Sequence, residues 1–285
     1  MSAQARSTPS REHATAPFGR RLLTVSANEQ LGAYRVLHAV ETNEAGGEWA
    51  PDPGQFAMLA AAERWGAGED ERPYLPRAFS YARWRKGEAQ FLLEDVGPGT
   101  HRLCELQAGD GLWLLGPLGH GFRAPEDGRR ALLVGGGVGI APLAIWQDEL
   151  VAAGEATSVL LGFRNRAHAE GASLLTGVQL ASDDGSSGHR GLVTDLLSAE
   201  LDHDPHAVVY ACGPPRMLEA VRSLCTARGI PAQLALEAGM ACGFGACFGC
   251  VVPTRAGTCA RVCVDGPVLD ADLLDRVEAH AGGEA

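Results

Sequence analysis

Two different periodicities divide the chain. From about Arg20 to Phe122, short apolar runs alternate with turn residues: Leu22–Val25, Tyr34–Val40, Gln55–Ala60, Ala78–Ala82, Ala89–Leu93 and Gly111–Leu115. Several short strands broken by Gly and Pro predict a small antiparallel barrel. Glu63–Pro76, rich in charge and Gly, reads as an exposed loop. The pattern changes after Pro125–Arg130. Ala131–Val134 is a wholly apolar run followed by a glycine cluster and a helical Ala141–Ala153. Thr157–Phe163 and His206–Cys212 predict further strands, Asp183–Gly188 a polar loop, and Pro214–Arg228 a helix with proline near its start. The stretch between Phe163 and Leu180 has no clear period, and Gln233–Leu236 reads as a last strand. Strands alternating with helices predict a parallel sheet. The expected fold is therefore multidomain, β plus α/β. A disordered tail (1–19) precedes an antiparallel barrel (20–125), a parallel-sheet α/β domain (126–235), a cysteine-rich segment (236–275) and a second tail (276–285).

Composition narrows the function classes. The 285 residues carry a formal net charge of −11, which argues against general nucleic-acid binding, because phosphate backbones select basic surfaces. No apolar run approaches the roughly 18 residues a membrane span needs, so no membrane association is expected. Met1–Arg20 mixes Ser, Thr, Pro and Arg without an apolar signal core, and a cytoplasmic location is the expectation. Of eight cysteines, Cys242, Cys247, Cys250, Cys259 and Cys263 crowd into the last quarter, whereas Cys104, Cys212 and Cys225 are scattered. Such clustering in a cytosolic chain points to metal rather than to disulfides.

The spacing Cys242-x4-Cys247-x2-Cys250, with Cys263 further on, is that of plant-type [2Fe–2S] ferredoxins. Three thiolates must wrap one side of a compact cluster, so the loop bends sharply, and Gly243, Gly245 and Gly249 let the backbone approach the inorganic sulfides. The alternative is a structural zinc knot, although zinc sites prefer paired C-x2-C elements and only one such pair occurs. By count alone either Cys259 or Cys263 can supply the fourth thiolate. Cys263 leaves twelve intervening residues, enough for a strand out (Val251-Val252), a turn at Thr254–Thr258 and a strand back (Arg261-Val262).

Three weaker motifs concern nucleotides. Gly135-Gly136-Gly137-Val138-Gly139 follows a strand and opens a helix, where a pyrophosphate can sit on the helix N-terminus; a plain tight turn is the competing reading. Cys212-Gly213-Pro214 follows another strand of the same domain, which places both loops at the carboxyl edge of one sheet, where ligands bind. Arg77-Ala78-Phe79-Ser80 lies in a barrel strand. Arg and Ser three apart point to opposite sides of a regular strand, so they act together only if the strand bends or a ligand lies along its edge; a solvated arginine is the bland alternative. Gly97-Pro98-Gly99-Thr100 is a turn whose N–H groups and hydroxyl can hold a phosphate, or only a turn.

Taken in order, Arg77-x-Phe79-Ser80, Gly135 to Leu143, Cys212-Gly213-Pro214 and the cysteine loop resemble the ferredoxin–NADP reductase superfamily. Leu236-Glu237 leading into Met240-Ala241-Cys242-Gly243-x-Gly245-Ala246-Cys247, together with Gly116–Phe122 and Cys263–Val268, resembles the electron-transfer subunits of NAD-linked (class 1B) dihydroorotate dehydrogenases. The resemblance spans roughly Arg20 to Leu274. It implies that FAD binds the barrel along Arg77, Ala78, Phe79 and Ser80, with Leu92, Leu93, Glu94, Gly99 and Thr100 completing the site. It implies that NAD or NADP is held by Gly135, Gly136, Gly137, Gly139, Cys212, Gly213 and Pro214, and that the cluster ligands are Cys242, Cys247, Cys250 and Cys263. The implied partner is an FMN-containing dihydroorotate dehydrogenase catalytic subunit in a heterotetramer of two of each, serving pyrimidine biosynthesis. Alternatives with the same architecture are subunits of sulfide dehydrogenases, hydrogenases or ferredoxin:NAD(P) oxidoreductases, or a non-enzymatic redox sensor. Cys212 is near the nicotinamide by analogy or is a buried structural thiol.

Overall fold

The computed structural model describes residues 19–41, 49–66, 73–85 and 87–277. Both expected tails, apart from Gly19, Arg276 and Val277, and the middle of the Glu63–Pro76 loop lie outside these residues.

Six strands close the barrel in the order β1-β2-β5-β4-β3-β6. They are β1 (Gly19–Leu31), β2 (Tyr34–Glu41), β3 (Phe56–Ala61), β4 (Arg77–Arg85), β5 (Glu88–Glu94) and β6 (Gly111–Leu118). Alternate residues fill the interior, as period two requires: Leu23 and Val25, Leu37 and Ala39, Ala57 and Leu59, Ala89, Phe91 and Leu93, Leu112 and Leu114 are all buried. Tyr81 and Phe91 pack inside with ring centroids 5.0 Å apart. Gly19 and Arg20 already belong to β1, paired with Gly116 and Leu115. A short helix, α1 (Pro98–Cys104), follows the Gly97 turn and extends the turn expected there.

The second sheet has the order β10-β9-β8-β7-β11-β12-β15. Its strands are β7 (Arg130–Gly136), β8 (Thr157–Phe163), β9 (Val178–Ser182), β10 (His189–Arg190), β11 (Ala207–Cys212), β12 (Ala232–Ala235) and β15 (Val268–Asp270), of which β15 alone runs antiparallel to its neighbour. Central β11 is buried at every position, the signature of a sheet covered on both faces. Leu132, Val134, Val209 and Ala211 face α4 (Val193–His203) and α5 (Pro215–Arg228), while Ala131, Leu133 and Tyr210 face α2 (Ile140–Ala152). Each large apolar side chain so covered contributes about 1.5–3 kcal/mol of transfer free energy. α5 begins at Pro215 and ends on Gly229 at φ 64°, a left-handed cap that lets its N–H return to Cys225 and Thr226 carbonyls. The short α3 (Arg166–Ala169) falls in the stretch without a clear period, and α4 is a helix the sequence reading did not include.

The two layers meet along α2 and α3. Arg83 on β4 pairs with Asp148 on α2 at 3.0 Å. The β1–β2 turn docks on α3: Ala33 N–H donates to Ala167 O at 2.9 Å, and a Cβ on Gly32 would lie 2.0 Å from that oxygen, so only glycine fits. The cysteine segment is stitched to the second sheet, since β15 comes from it and Leu236 N–H donates to Pro267 O.

Candidate functional site

A cleft of about 370 Å³ runs between barrel and sheet. It is lined by Arg77–Ser80, Leu92, Glu94, Val96, Thr100, Val138, Gly139 and Leu236–Met240. Arg77 and Ser80 lie on a stretch of β4 that is paired on one side only. Residues 77–80 pair with β3 alone, and pairing of β4 with β5 starts only at Tyr81, with a register shift between Tyr81 and Arg83. The β5-facing edge of 77–80 is therefore open. Arg77 folds over the Gly99 turn, where an added Cβ would lie 2.6 Å from its Nε, and it donates to Leu75 O at 2.5 Å. Glu94 holds His168 at 3.2 Å and Arg164 at 3.5 Å across the layer boundary.

Two of the expected flavin residues have side chains engaged within the protein. Leu93 is fully buried in the barrel interior, so its side chain faces away from the cleft that Leu92 and Glu94 line; strand alternation forces the difference. The Thr100 hydroxyl accepts from the N–H groups of Val96 and Gly97 at 2.9 and 3.0 Å and donates to Gly97 O, so it is occupied in closing its own turn.

The two nucleotide loops do come together. Cys212 pairs in register with Gly135, and a Cβ on Gly139 would lie 2.5 Å from Gly213 N and 2.6 Å from Cys212 O. Gly139 is thus required by backbone-to-backbone contact. Gly135 and Gly136 are also packing glycines, closed by Leu161 and by Met217 and Pro214 respectively. Gly137 is different: its φ is 57°, and no atom lies within 4 Å of its would-be Cβ, leaving that face of the turn free for a ligand. Cys212 is 2% exposed, and burial first, then the Glu237 carboxyl, pushes its thiol well above the ordinary range. Pro214 lies at the exposed end of the same loop.

The cysteine loop folds as its glycines require, with Gly243 and Gly245 at φ 80° and 85° and Phe248 at φ 58°. Strands β13 (Val251–Pro253) and β14 (Cys259–Arg261) form the expected hairpin, with Thr254 N–H donating to Thr258 O across the turn. Val262 N–H donates to Cys250 O, and the Cys250 and Cys263 sulfurs stand 3.2 Å apart, both buried. Cys259 faces Pro253 two pairs further from the hairpin base and is exposed. The Cys242 thiol lies within hydrogen-bonding reach of Cys247. Burial raises Cys242, but the N–H groups of Phe244, Cys247 and Ala246 and the Cys247 thiol outweigh it and bring the group down to about 6. Cys263 is pushed up to about 12 by burial and by sharing its surroundings with Cys250, against one N–H from Gly245. Two thiol pairs ringed by N–H donors suit a cluster of two irons, each needing two thiolates, and its negative charge. A zinc knot would need all four thiolates about one ion, whereas these stand as two pairs.

Val138, Ala141, Pro142, Glu237 and Gly239 also line the cleft and were not expected there. Glu237 had one usable signal, a carboxylate directly after a strand predicted to end at the ligand edge.

Comparison with known proteins agrees first on class. The fold matches that of a solved NADH-dependent reduced ferredoxin-NADP oxidoreductase (TM-score 0.73, 24% identity, 90% of this chain and 91% of that one). It also matches a ferredoxin NADP+ reductase from Neisseria gonorrhoeae (TM-score 0.59, 15% identity, 74% and 92%). Residues 133–223 match the oxidoreductase NAD-binding domain, and residues 237–275 match the iron-sulfur cluster binding domain of dihydroorotate dehydrogenase B. The chain is 37% identical over 262 residues to the dihydroorotate dehydrogenase B (NAD(+)) electron transfer subunit of Bacillus caldolyticus, covering 89% of this chain and 98% of that protein. It is 36% identical to a homologue of that subunit from Aquifex aeolicus (76% and 84%). This chain belongs to the family of dihydroorotate dehydrogenase B electron transfer subunits.

Proposed function

We propose that this protein carries electrons between NAD and a dihydroorotate-oxidising catalytic subunit, through FAD and a [2Fe–2S] cluster. The observation that carries the reading is the match over nearly the whole length of a named electron transfer subunit, together with a cleft whose Leu236–Met240 wall runs directly into the cysteine loop. FAD, when bound, exchanges a hydride with nicotinamide and single electrons with the cluster. The chain's own work is placement. Arg77 supplies a cation for the diphosphate, the open edge at Ala78–Ser80 lies along the flavin, and Leu92 and Val138 exclude water. The free face of Gly137 admits the nicotinamide nucleotide's pyrophosphate at the start of α2. Cys242 with Cys247, and Cys250 with Cys263, each hold one iron. In function the chain divides at about residues 125 and 235.

The partner in this reading contains FMN, assembles as two catalytic and two electron-transfer chains, and works in pyrimidine biosynthesis in the cytoplasm. Among the described residues no helix is long and apolar enough to cross a membrane. The test mixes the purified, reconstituted chain with a dihydroorotate dehydrogenase catalytic subunit. Dihydroorotate-dependent NAD reduction that needs both chains is expected. NAD reduction only with a sulfide- or hydrogen-oxidising partner overturns the assignment.

A further inference from the structure

Beside α1 lies another cavity, of about 870 Å³, around which basic side chains gather. Arg35 reaches it from β2, Arg64 from the residues after β3, and His101 and Arg102 from α1. Two carboxylates face the same space, Asp95 before α1 and Glu105 after it. The arginines alone outnumber these acids, on a chain whose formal net charge is −11. The acids also engage the cations loosely. Arg64 and Arg102 stand 3.5 and 3.4 Å from one oxygen of Glu105, and His101 stands 3.5 Å from the other. A charge-assisted hydrogen bond closes to about 2.7–2.9 Å, so none of the three is committed to Glu105. Asp95 is taken by His101 at 2.8 Å. The Arg35 guanidinium donates to the Asn28 carbonyl at 3.1 Å and meets no carboxylate among the described residues. The wall behind it is fixed, because Asn28 Nδ2 stands 3.1, 3.2 and 2.9 Å from the carbonyls of Leu103, Cys104 and Leu106.

We propose that this cavity binds a soluble phosphate monoester of nucleotide size. Guanidinium forks match phosphate oxygens two at a time, and a phosphate dianion satisfies three arginines that one shared carboxylate does not. The volume falls within the range of small-molecule sites, about 300–1,000 Å³, which leaves room for the organic body of an ester beside its anion. Ala27, Leu106 and Ala108 add apolar lining for that body. The cavity shares no lining residue with the cleft, so the inference does not rest on the function proposed above. Thr100 lines the cleft and His101 the cavity, so one helix touches both.

The test titrates uridine 5′-monophosphate, and separately inorganic phosphate, into the full FAD- and cluster-loaded chain by calorimetry. Saturating NAD+ is present throughout, and the uridine ester is used because it lacks the adenine of FAD and NAD. Saturable binding of the monophosphate is expected, about tenfold tighter than that of inorganic phosphate because its body is also buried. The affinity should fall as salt is raised. Arg64 is exposed, so R64Q should keep the fold and the FAD content while weakening the monophosphate about tenfold. E105Q should tighten it several-fold, since it removes the carboxylate that competes for the same cations. A merely structural salt-bridge cluster would show neither change. No binding to the loaded wild type, an affinity unmoved by R64Q, or no tightening in E105Q each overturn the inference. Equal affinity for inorganic phosphate would mean an adventitious ion only, and would overturn it as well.

Discussion

The cysteine loop and the cleft beside it are built on opposite plans. The loop draws its thiols from 22 consecutive positions, Cys242 to Cys263, and closes them with one hairpin whose register is local. The cleft draws its walls from β4, the β5–α1 turn, the turn before α2 and the residues after β12, which lie far apart in sequence. A local site depends on its ligands and its glycines. A distributed site depends on how barrel and sheet dock, through contacts such as Arg83–Asp148 and Gly32–Ala167 that do not line the cleft. Damage to the first should be all-or-none and confined; damage to the second should be graded.

The largest expected effect sets the two plans apart. Cys263→Ser should abolish or strongly perturb the cluster's absorption and its paramagnetic signal on reduction, while FAD content stays normal. Cys259→Ser should leave both cluster signals intact, because Cys259 stands at the far end of the hairpin opposite Pro253. The reverse result would exchange the two cysteines' roles.

Arg77→Ala should weaken FAD retention by about ten- to a hundredfold, the loss of a charge-assisted partner, measured by equilibrium release of flavin fluorescence. Cluster content should not change. Full flavin affinity in this variant would remove Arg77 from the site.

Within the nucleotide loops, two glycines separate packing from binding. Gly139→Val drives a side chain into the Cys212–Gly213 backbone and should cost about 1–3 kcal/mol of stability, read as a lower melting temperature. Gly137→Ala meets open space but must hold φ 57°. It should cost about 1 kcal/mol and raise the NADH concentration needed to bleach the flavin, also in chain stripped of its cluster. Unchanged nucleotide response in Gly137→Ala would leave that turn as only a turn.

The smallest effect is expected at Thr100. Its hydroxyl closes the turn before α1, so Thr100→Ala should lose about 1 kcal/mol of stability with flavin affinity unchanged. A large drop in flavin affinity at constant stability would return the hydroxyl to the cofactor.

What the sequence determined by itself is whatever rests on local geometry. The alternating runs of the barrel, the buried strands at Ala131–Val134 and His206–Cys212, and the Val251–Val262 hairpin depend on near neighbours and were legible as patterns. The C-x4-C-x2-C spacing was legible because a cluster must be wrapped by one short loop. Tertiary structure decided the rest. Leu93 belongs to the barrel interior although its neighbours Leu92 and Glu94 line the cleft, which depends on the register of β5 between β2 and β4. Gly139 and Gly137 read alike in sequence, yet one is pressed against Gly213 and the other faces open space. Cys212 and Ala235 stand side by side only because β11 and β12, separated by the whole of α5, pair in parallel. Which side chains meet across the molecule is a property of three-dimensional neighbours, and no spacing along one chain specifies it.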